Sequence, residues 1–312
     1  MLFAWERLVI MDNRAGGAAE TAAGLAAGWA SYKYLPTLVK KPYGRWVFSE
    51  FKNVSQAENN NYWSAAQKAF QASGLKEKGV DVVDINTTNL EGVLKDTFEK
   101  SNKNVDKFFK IKNGKPLQMN KPRPRWKYIL FGPGSEEKFK RTIKGMAEGE
   151  NACFHLASKN VLVNKDKMGF STFHEMGHAL NANTTKGMKA FVYGSHVIGF
   201  AAPILLALAL IKRRKPESEN EPKGTQIKKN FLKDNIGLIT FGCLTPTLIE
   251  EGLASINGTK MAKKVLNPQD LKKLNILQGK AWSTYLAGAV LAGLIAKFAV
   301  NIKDKLVKPK DN

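Results

Sequence analysis

Ala190–Ile211 is a run of 22 residues without a Lys, Arg, Asp or Glu, and no other feature constrains the fold as much. At ~1.5 Å per residue a helix of this length reaches about 33 Å, enough for a hydrocarbon core of roughly 30 Å. Its second half, Pro203–Ile211, is nearly all Leu, Ala and Ile and offers no polar face, which does not suit a soluble surface helix. Lys212-Arg213-Arg214-Lys215 ends it. Two more apolar stretches follow. Ile236–Ile249 is shorter, contains Thr, Gly, Cys and Pro, and runs directly into Glu250-Glu251. Ala281–Ile302 carries one charge, Lys297, near its carboxyl end, where a lysine can snorkel to the interface. The expectation is a membrane domain over 190–312 with two to three transmembrane helices, at about 190–211, 236–250 and 281–302. Lys212–Asp234 holds eight basic and four acidic residues and reads as an exposed loop joining a helical hairpin.

The net charge of +22, from 49 Lys+Arg against 27 Asp+Glu, points to an anionic partner. The lysines are scattered along the chain and no zinc-finger or RNA-binding signature accompanies them, so membrane lipids are the expected partner and no specific nucleic acid is. Cys153 and Cys243 are far apart and lack C-x-x-C spacing, which argues against a disulfide framework. Residues 1–31 form a small-residue-rich segment. Met1–Met11 has Glu6 and Arg7 inside its apolar run, unlike a signal peptide. Ala15–Ala30 suits a helix lying on a membrane, on another helix, or loosely in solution.

Residues 32–189 read as a polar globular region. Ala57–Ala72 is expected as a helix ended by Gly74, Val80–Ile85 as a strand and Leu90–Lys100 as a helix. Phe108–Leu117 reads as a hairpin turning at Asn113-Gly114, and Trp126–Phe131 as another strand. A helix is expected over Ser135–Ala147. Ala152–Val163 is rich in strand formers. The fold class is therefore α+β: a mostly helical core with a small sheet, plus the membrane domain.

His174-Glu175-Met176-Gly177-His178 carries the chemistry. Two histidines four apart share one helix face, so both imidazoles can ligate one Zn²⁺ while Glu175 acts on the water that the metal activates. A bare H-E-x-x-H arises by chance. Here two of only four histidines take this spacing, and apolar or small residues surround them.

A hydrolytic zinc needs a third protein ligand. The positions that would complete a metzincin motif are Asn181 and Thr184, which excludes that class. The other candidates are His155, His196, the loop residues Glu217, Glu219 and Glu221, and the pair Glu250-Glu251. Adjacent carboxylates at the end of an apolar segment are costly unless a cation uses them. Adjacent helical residues point about 100° apart, so one of the two would face the metal. Ala254, small and three positions after Glu251, would allow a close helix approach, and Ser255, one turn on, could hydrogen-bond a ligand histidine; both features favour Glu251.

With these residues the chain resembles the membrane-embedded gluzincin zinc metallopeptidases, the group of the HtpX heat-shock and CAAX prenyl proteases. Three matches carry the resemblance: the H-E-x-x-H, Glu251-Gly252-Leu253-Ala254 against the family's E-x-x-A-D, and the hydrophobic hairpin between the two motifs. Asn151-Ala152 is similar to the family's Asn-Ala at a substrate-binding edge strand. Ser255 stands where the family has Asp. The resemblance covers about residues 150–260 and implies a zincin-like catalytic core. It also implies His174, His178 and Glu251 as zinc ligands, Glu175 as the catalytic base, Glu250 and Ser255 as supporting groups or alternative ligands, and Asn151, Ala152 and His155 along a polypeptide-binding edge. An oxyanion-stabilising residue is required as well, with His155, Tyr193 and Tyr285 as candidates. The activity implied is membrane-anchored endoproteolysis of membrane or misfolded proteins, at a site expected on the cytoplasmic side. The alternatives are a non-proteolytic zinc-binding membrane protein and a basic membrane-surface protein whose H-E-x-x-H is accidental.

Overall fold

The computed structural model describes residues 49–108, 136–199, 201–211 and 230–306. The expectations for residues 1–31, for the Asn113-Gly114 hairpin and for the Trp126–Phe131 strand lie outside the described residues. In chain order the elements are α1 (Gln56–Gln71), β1 (Asp81–Asp84), α2 (Leu90–Phe108), α3 (Glu136–Ala147), β2 (Cys153–His155), β3 (Asn160–Val163), α4 (Lys165–Met168), α5 (Thr172–Asn183), α6 (Lys186–Gly199), α7 (Ala201–Ile211), α8 (Phe231–Asp234), α9 (Ile236–Ala262) and α10 (Pro268–Leu306). The chain is mostly helical, with one small sheet among the described residues.

Local chemistry explains most boundaries. The α1 start is a capping box: the Glu58 N–H donates to Ser55 Oγ at 3.2 Å and the Ser55 N–H to Glu58 Oε2 at 2.9 Å. Three residues past its end Gly74 sits at φ 68, a conformation glycine adopts without strain. Helix α2 does not stop at Lys100 but runs to Phe108. Ser101 and Asn104, both weak helix formers, make tertiary hydrogen bonds, Ser101 Oγ with His155 Nδ1 at 3.3 Å and the Asn104 amide donating to Ala157 O at 2.8 Å, and these contacts outweigh propensity. The Ala152–Val163 segment is two strands rather than one. The chain reverses through Lys159, at φ 60, whose N–H donates to His155 O at 2.8 Å.

The sheet order is β1-β3-β2, with β3 parallel to β1 and antiparallel to β2. Every β3 residue is buried, as befits the central strand. Leu162 joins a core cluster with Ile85, Leu94, Phe98, Ile143 and Met146 from β1's end, α2 and α3. Helix α5 lies against β2 and β3. Strand β2 is an edge strand among the described residues.

Two compact units emerge. One gathers Arg45–Val197 with Thr247–Thr284 and contains the sheet, α5 and the second half of α9. The other contains the described parts of Ile198–Pro246 and Tyr285–Asn312. In this second unit Leu206, Ala209 and Leu210 of α7 cluster with Ile236 of α9 and with Ala296 and Val300 of α10. Three helical stretches, Lys186–Ile211, Ile236–Ala262 and Pro268–Asp304, are long and apolar enough to cross a membrane. The second is longer than the apolar run Ile236–Ile249, because the helix continues through Glu250-Glu251 to Ala262.

Candidate metal centre

Helix α5 is fixed from below before it presents its histidines. An added Cβ on Gly169, just ahead of it, would lie 2.0 Å from Asn59 O, so only glycine lets the chain come this close to α1. Phe173, Met176 and Ala179 are fully buried on one side of α5. His174 and His178, one turn apart, project from another, with only 13 % and 15 % of their side chains exposed.

The second half of α9 supplies the rest. A Cβ on Gly177 would fall 2.0 Å from Ala254 O, and one on Gly258 would fall 2.4 Å from Phe173 O. Two glycines on facing helices therefore set α5 and α9 backbone against backbone, with Ala254 fully buried between them. That approach brings Glu250, Glu251 and Ser255 to the histidines. Trp282 of α10 braces the same turn: its indole N–H donates to Leu248 O at 3.0 Å, over Gly252.

Three acceptor atoms converge. His174 Nε2 lies 3.0 Å from His178 Nε2 and 3.2 Å from Glu251 Oε2, and His178 Nε2 lies 3.4 Å from the same oxygen. Bonds of about 2.0–2.1 Å at tetrahedral angles place ligand atoms roughly 3.3 Å apart, so this triangle matches one face of a zinc tetrahedron. The far nitrogens are held as well. His178 Nδ1 is 2.8 Å from Glu250 Oε1, and His174 Nδ1 is 3.1 Å from Ser255 Oγ. In the tautomer with a proton on each Nδ1, donated to these partners, both Nε2 lone pairs face the Glu251 carboxylate. Three lone-pair donors at such distances repel unless a cation lies among them, so the donor set fits a divalent metal of the zinc type.

The histidine electrostatics agree. Burial opposes charge on His178, but hydrogen bonds that its ring donates to Glu250 and then to Glu251, with the nearby Glu175 charge, outweigh it and hold its pKa well above the usual imidazole range. Without a metal, a proton on His178 does part of the same work.

Glu175 is buried, 8 % exposed, and accepts the Phe154 N–H through Oε2 at 2.7 Å. One carboxylate oxygen is thereby tied to β2, while Oε1 has no hydrogen bond among the described residues. His174, Glu175 and His178 also form a compact group by themselves, overlapping at His178 with the group containing Glu250 and Glu251.

The structure thus brings His174, Glu175, His178, Glu250, Glu251 and Ser255 together. Asn151 is exposed and Ala152 buried just before β2. His155 belongs to a different cluster: its Nδ1 meets Ser158 Oγ at 2.8 Å and Ser101 Oγ at 3.3 Å, and burial lowers its pKa to about 4. Burial likewise pushes the Cys153 thiol up. Tyr193 is half-buried in α6, Tyr285 is exposed in the other unit, and the His196 side chain and Glu217, Glu219 and Glu221 lie outside the described residues.

Sequence reasoning passed over two asparagines. The fully buried Asn181 donates to Glu250 Oε1 at 3.3 Å and accepts from Asn257 Nδ2 at 2.7 Å. The signal was present: Asn181 lies one turn past His178, and Asn257 two turns past Glu250 on one helix face. The Phe154 N–H could not be read from side-chain identity at all. Compared with protein-family models, with curated proteins and with solved structures, the chain matches none.

Proposed function

We propose that the chain is a membrane-anchored, zinc-dependent endopeptidase of the gluzincin type, acting on polypeptides at or near a membrane. The single observation that carries this reading is the convergence of His174 Nε2, His178 Nε2 and Glu251 Oε2 within 3.0–3.4 Å, beside the buried Glu175. The three helices long enough to cross a membrane supply the anchoring part.

His174, His178 and Glu251 would hold the ion. Zinc in such a set supplies Lewis acidity, polarising a carbonyl and lowering the pKa of a water to about 7. The protein's own groups do the rest. Glu250 and Ser255 orient the two imidazoles and fix their tautomers. Glu175 accepts a proton from the attacking water as the new C–O bond forms, and returns it to the leaving amine as the C–N bond breaks. Its tie to the Phe154 N–H keeps one oxygen fixed and leaves the other for that exchange. The polypeptide would lie extended along the outer edge of β2, whose backbone at Phe154 points at Glu175.

Full-length protein purified in detergent tests the reading. About one zinc per chain is expected, lost in His174→Ala and in His178→Ala. Glu175→Gln should keep the zinc and abolish cleavage of casein or a quenched peptide. Full zinc in both histidine variants sinks the site; zinc bound normally with no cleavage of any polypeptide leaves a non-proteolytic zinc protein. The expected cytoplasmic orientation is tested separately with single cysteines at Thr87, which is exposed where Ser101 is buried, and at Ser218, and an impermeant thiol reagent. Labelling at Thr87 in intact cells, with the Ser218 site protected, would reverse it.

A further inference from the structure

The second unit contains a groove that the proteolytic reading does not use. It has a volume of about 420 Å³ and runs between α9 and α10. Gly237 and Gly293 make its floor. A Cβ on Gly237 would lie 2.9 Å from Gly293 O, and one on Gly293 would lie 2.7 Å from Gly237 O, so the two backbones come close, with Lys297 Cβ and Phe241 Cβ the nearest side-chain atoms, at 3.3 and 3.5 Å. Phe241 and Val290 close one end. The rim is apolar and outward-facing: Leu238 is 74 % and Leu294 64 % exposed. Both helices belong to stretches able to cross a membrane, so these rims suit lipid and not water.

Lys297 stands at the other end. Its ammonium donates to Asp234 O at 2.8 Å and to Lys233 O at 3.4 Å. An ammonium has three protons, and both of these partners are neutral carbonyls. Among the described residues Lys297 has no carboxylate partner. Asp234 also borders the groove, but its carboxylate accepts the Asn230 N–H at 2.9 Å and makes no ion pair with Lys297. A cation without a counter-charge at the end of an apolar slot calls for an anion carrying a long apolar tail. The position agrees: Lys297 is five residues from Ile302, the end of one apolar stretch, and Asp234 is two residues before Ile236, the start of the other. Both place the charged end of the groove where lipid phosphates lie. From Lys297 to Val290 is about 10 Å along a helix, within the depth of one leaflet.

We infer that this groove is a binding site for an anionic phospholipid, with the phosphate on Lys297 and one acyl chain over Gly237 and Gly293. The inference is independent of the metal centre.

A local probe tests it. In a background with Cys153 and Cys243 replaced by Ser, a single cysteine at Leu238 is labelled with a bimane fluorophore. A second protein carries the label at Ile204, an exposed apolar position on α7 that does not line the groove. Each is reconstituted in phosphatidylcholine vesicles containing a minor fraction of brominated phosphatidylglycerol or brominated phosphatidylcholine. At Leu238 the brominated phosphatidylglycerol should quench with at least threefold higher apparent affinity. At Ile204 the two should be alike. Lys297→Gln should bring the Leu238 ratio to about one, and Lys297→Arg should keep it. Equal quenching by the two lipids at Leu238, or a preference of the same size at Ile204, overturns the site. So does a preference that survives Lys297→Gln. The comparison of the two positions needs no Lys297 variant, so it decides the matter even where Lys297→Gln fails to fold.

Discussion

Glu250 and Glu251 are adjacent and both nearly buried, 3 % and 9 % exposed, yet they occupy different places in the candidate metal centre. The test is to neutralise each in turn. Glu251→Gln replaces the carboxylate that sits 3.2 and 3.4 Å from the two Nε2 atoms with a neutral amide. Glu250→Gln keeps an oxygen able to accept from His178 Nδ1, now 2.8 Å away, and loses only the charge behind that bond. Removing a partner that acts through a ligand typically weakens metal binding by about 10–100-fold. Because Gln still accepts, Glu250→Gln should fall near tenfold and Glu250→Ala near a hundredfold. Loss of a ligand must exceed that range: on the order of 10³-fold for Glu251→Gln, or about 4 kcal/mol at about 1.4 kcal/mol per decade. The assay is zinc occupancy of the full-length protein in detergent against a series of chelator-buffered zinc concentrations. Equal losses for Glu250→Gln and Glu251→Gln, or a larger loss for Glu250→Gln, would refute the assignment of Glu251 as the metal-facing carboxylate.

Two further outcomes follow from the same unit. Gly177→Ala would put a Cβ 2.0 Å from Ala254 O, so α5 and α9 must separate; it should cost about 1–3 kcal/mol and weaken zinc binding, whereas Gly92→Ala, with nothing within 4 Å, should leave both intact or add slightly to stability. Thermal unfolding and zinc titration check both. His155 is half-buried and its pKa is lowered to about 4, so it contributes stability above its unfolded value near 6.5 that is lost as pH falls toward 4. Partial exposure limits the loss to about 2 kcal/mol, below the full shift at about 1.4 kcal/mol per unit. His155→Gln should flatten that part of the pH–stability curve, and an unchanged slope would remove His155 as its source.

Much of this architecture was legible because its causes are local. The Ala57–Ala72 helix with Gly74 beyond its end, the 22-residue uncharged run and the H-E-x-x-H spacing each act over a few turns of chain. The proximity of Glu251 and Ser255 to the histidines was readable from small residues: Ala254, three positions on, meets Gly177 in the middle of the motif. What stayed hidden depends on partners far apart in sequence or on backbone atoms. Helix α2 outran its expected end because Asn104 found Ala157, 53 residues away. The β2–β3 reversal depends on a lysine at positive φ, which no propensity would choose. His155 read as facing substrate or solvent, but Ser158 and Ser101 draw its ring into another cluster.

The His/Glu cluster also has an electrostatic consequence of its own. Two imidazole nitrogens and a carboxylate oxygen face one another at 3.0–3.4 Å, and with each Nδ1 proton given to Glu250 or Ser255 none of the three facing atoms has a proton to share. Something positive must reside there. In metal-free protein a proton can serve, since the carboxylates, against burial, hold the His178 pKa well above 6.5. A raised folded pKa means the metal-free protein binds this proton more tightly folded than unfolded. Its contribution is therefore complete below about pH 6.5 and is lost as pH rises through the folded value. Zinc requires both rings unprotonated, so its affinity should rise over that same interval. The melting temperature of metal-free protein should then fall on going from pH 6.5 to alkaline pH while the increment produced by added zinc grows. His178→Ala should lose both trends. A zinc increment that shrinks with rising pH across this range would mean that proton and metal do not compete for the same three atoms.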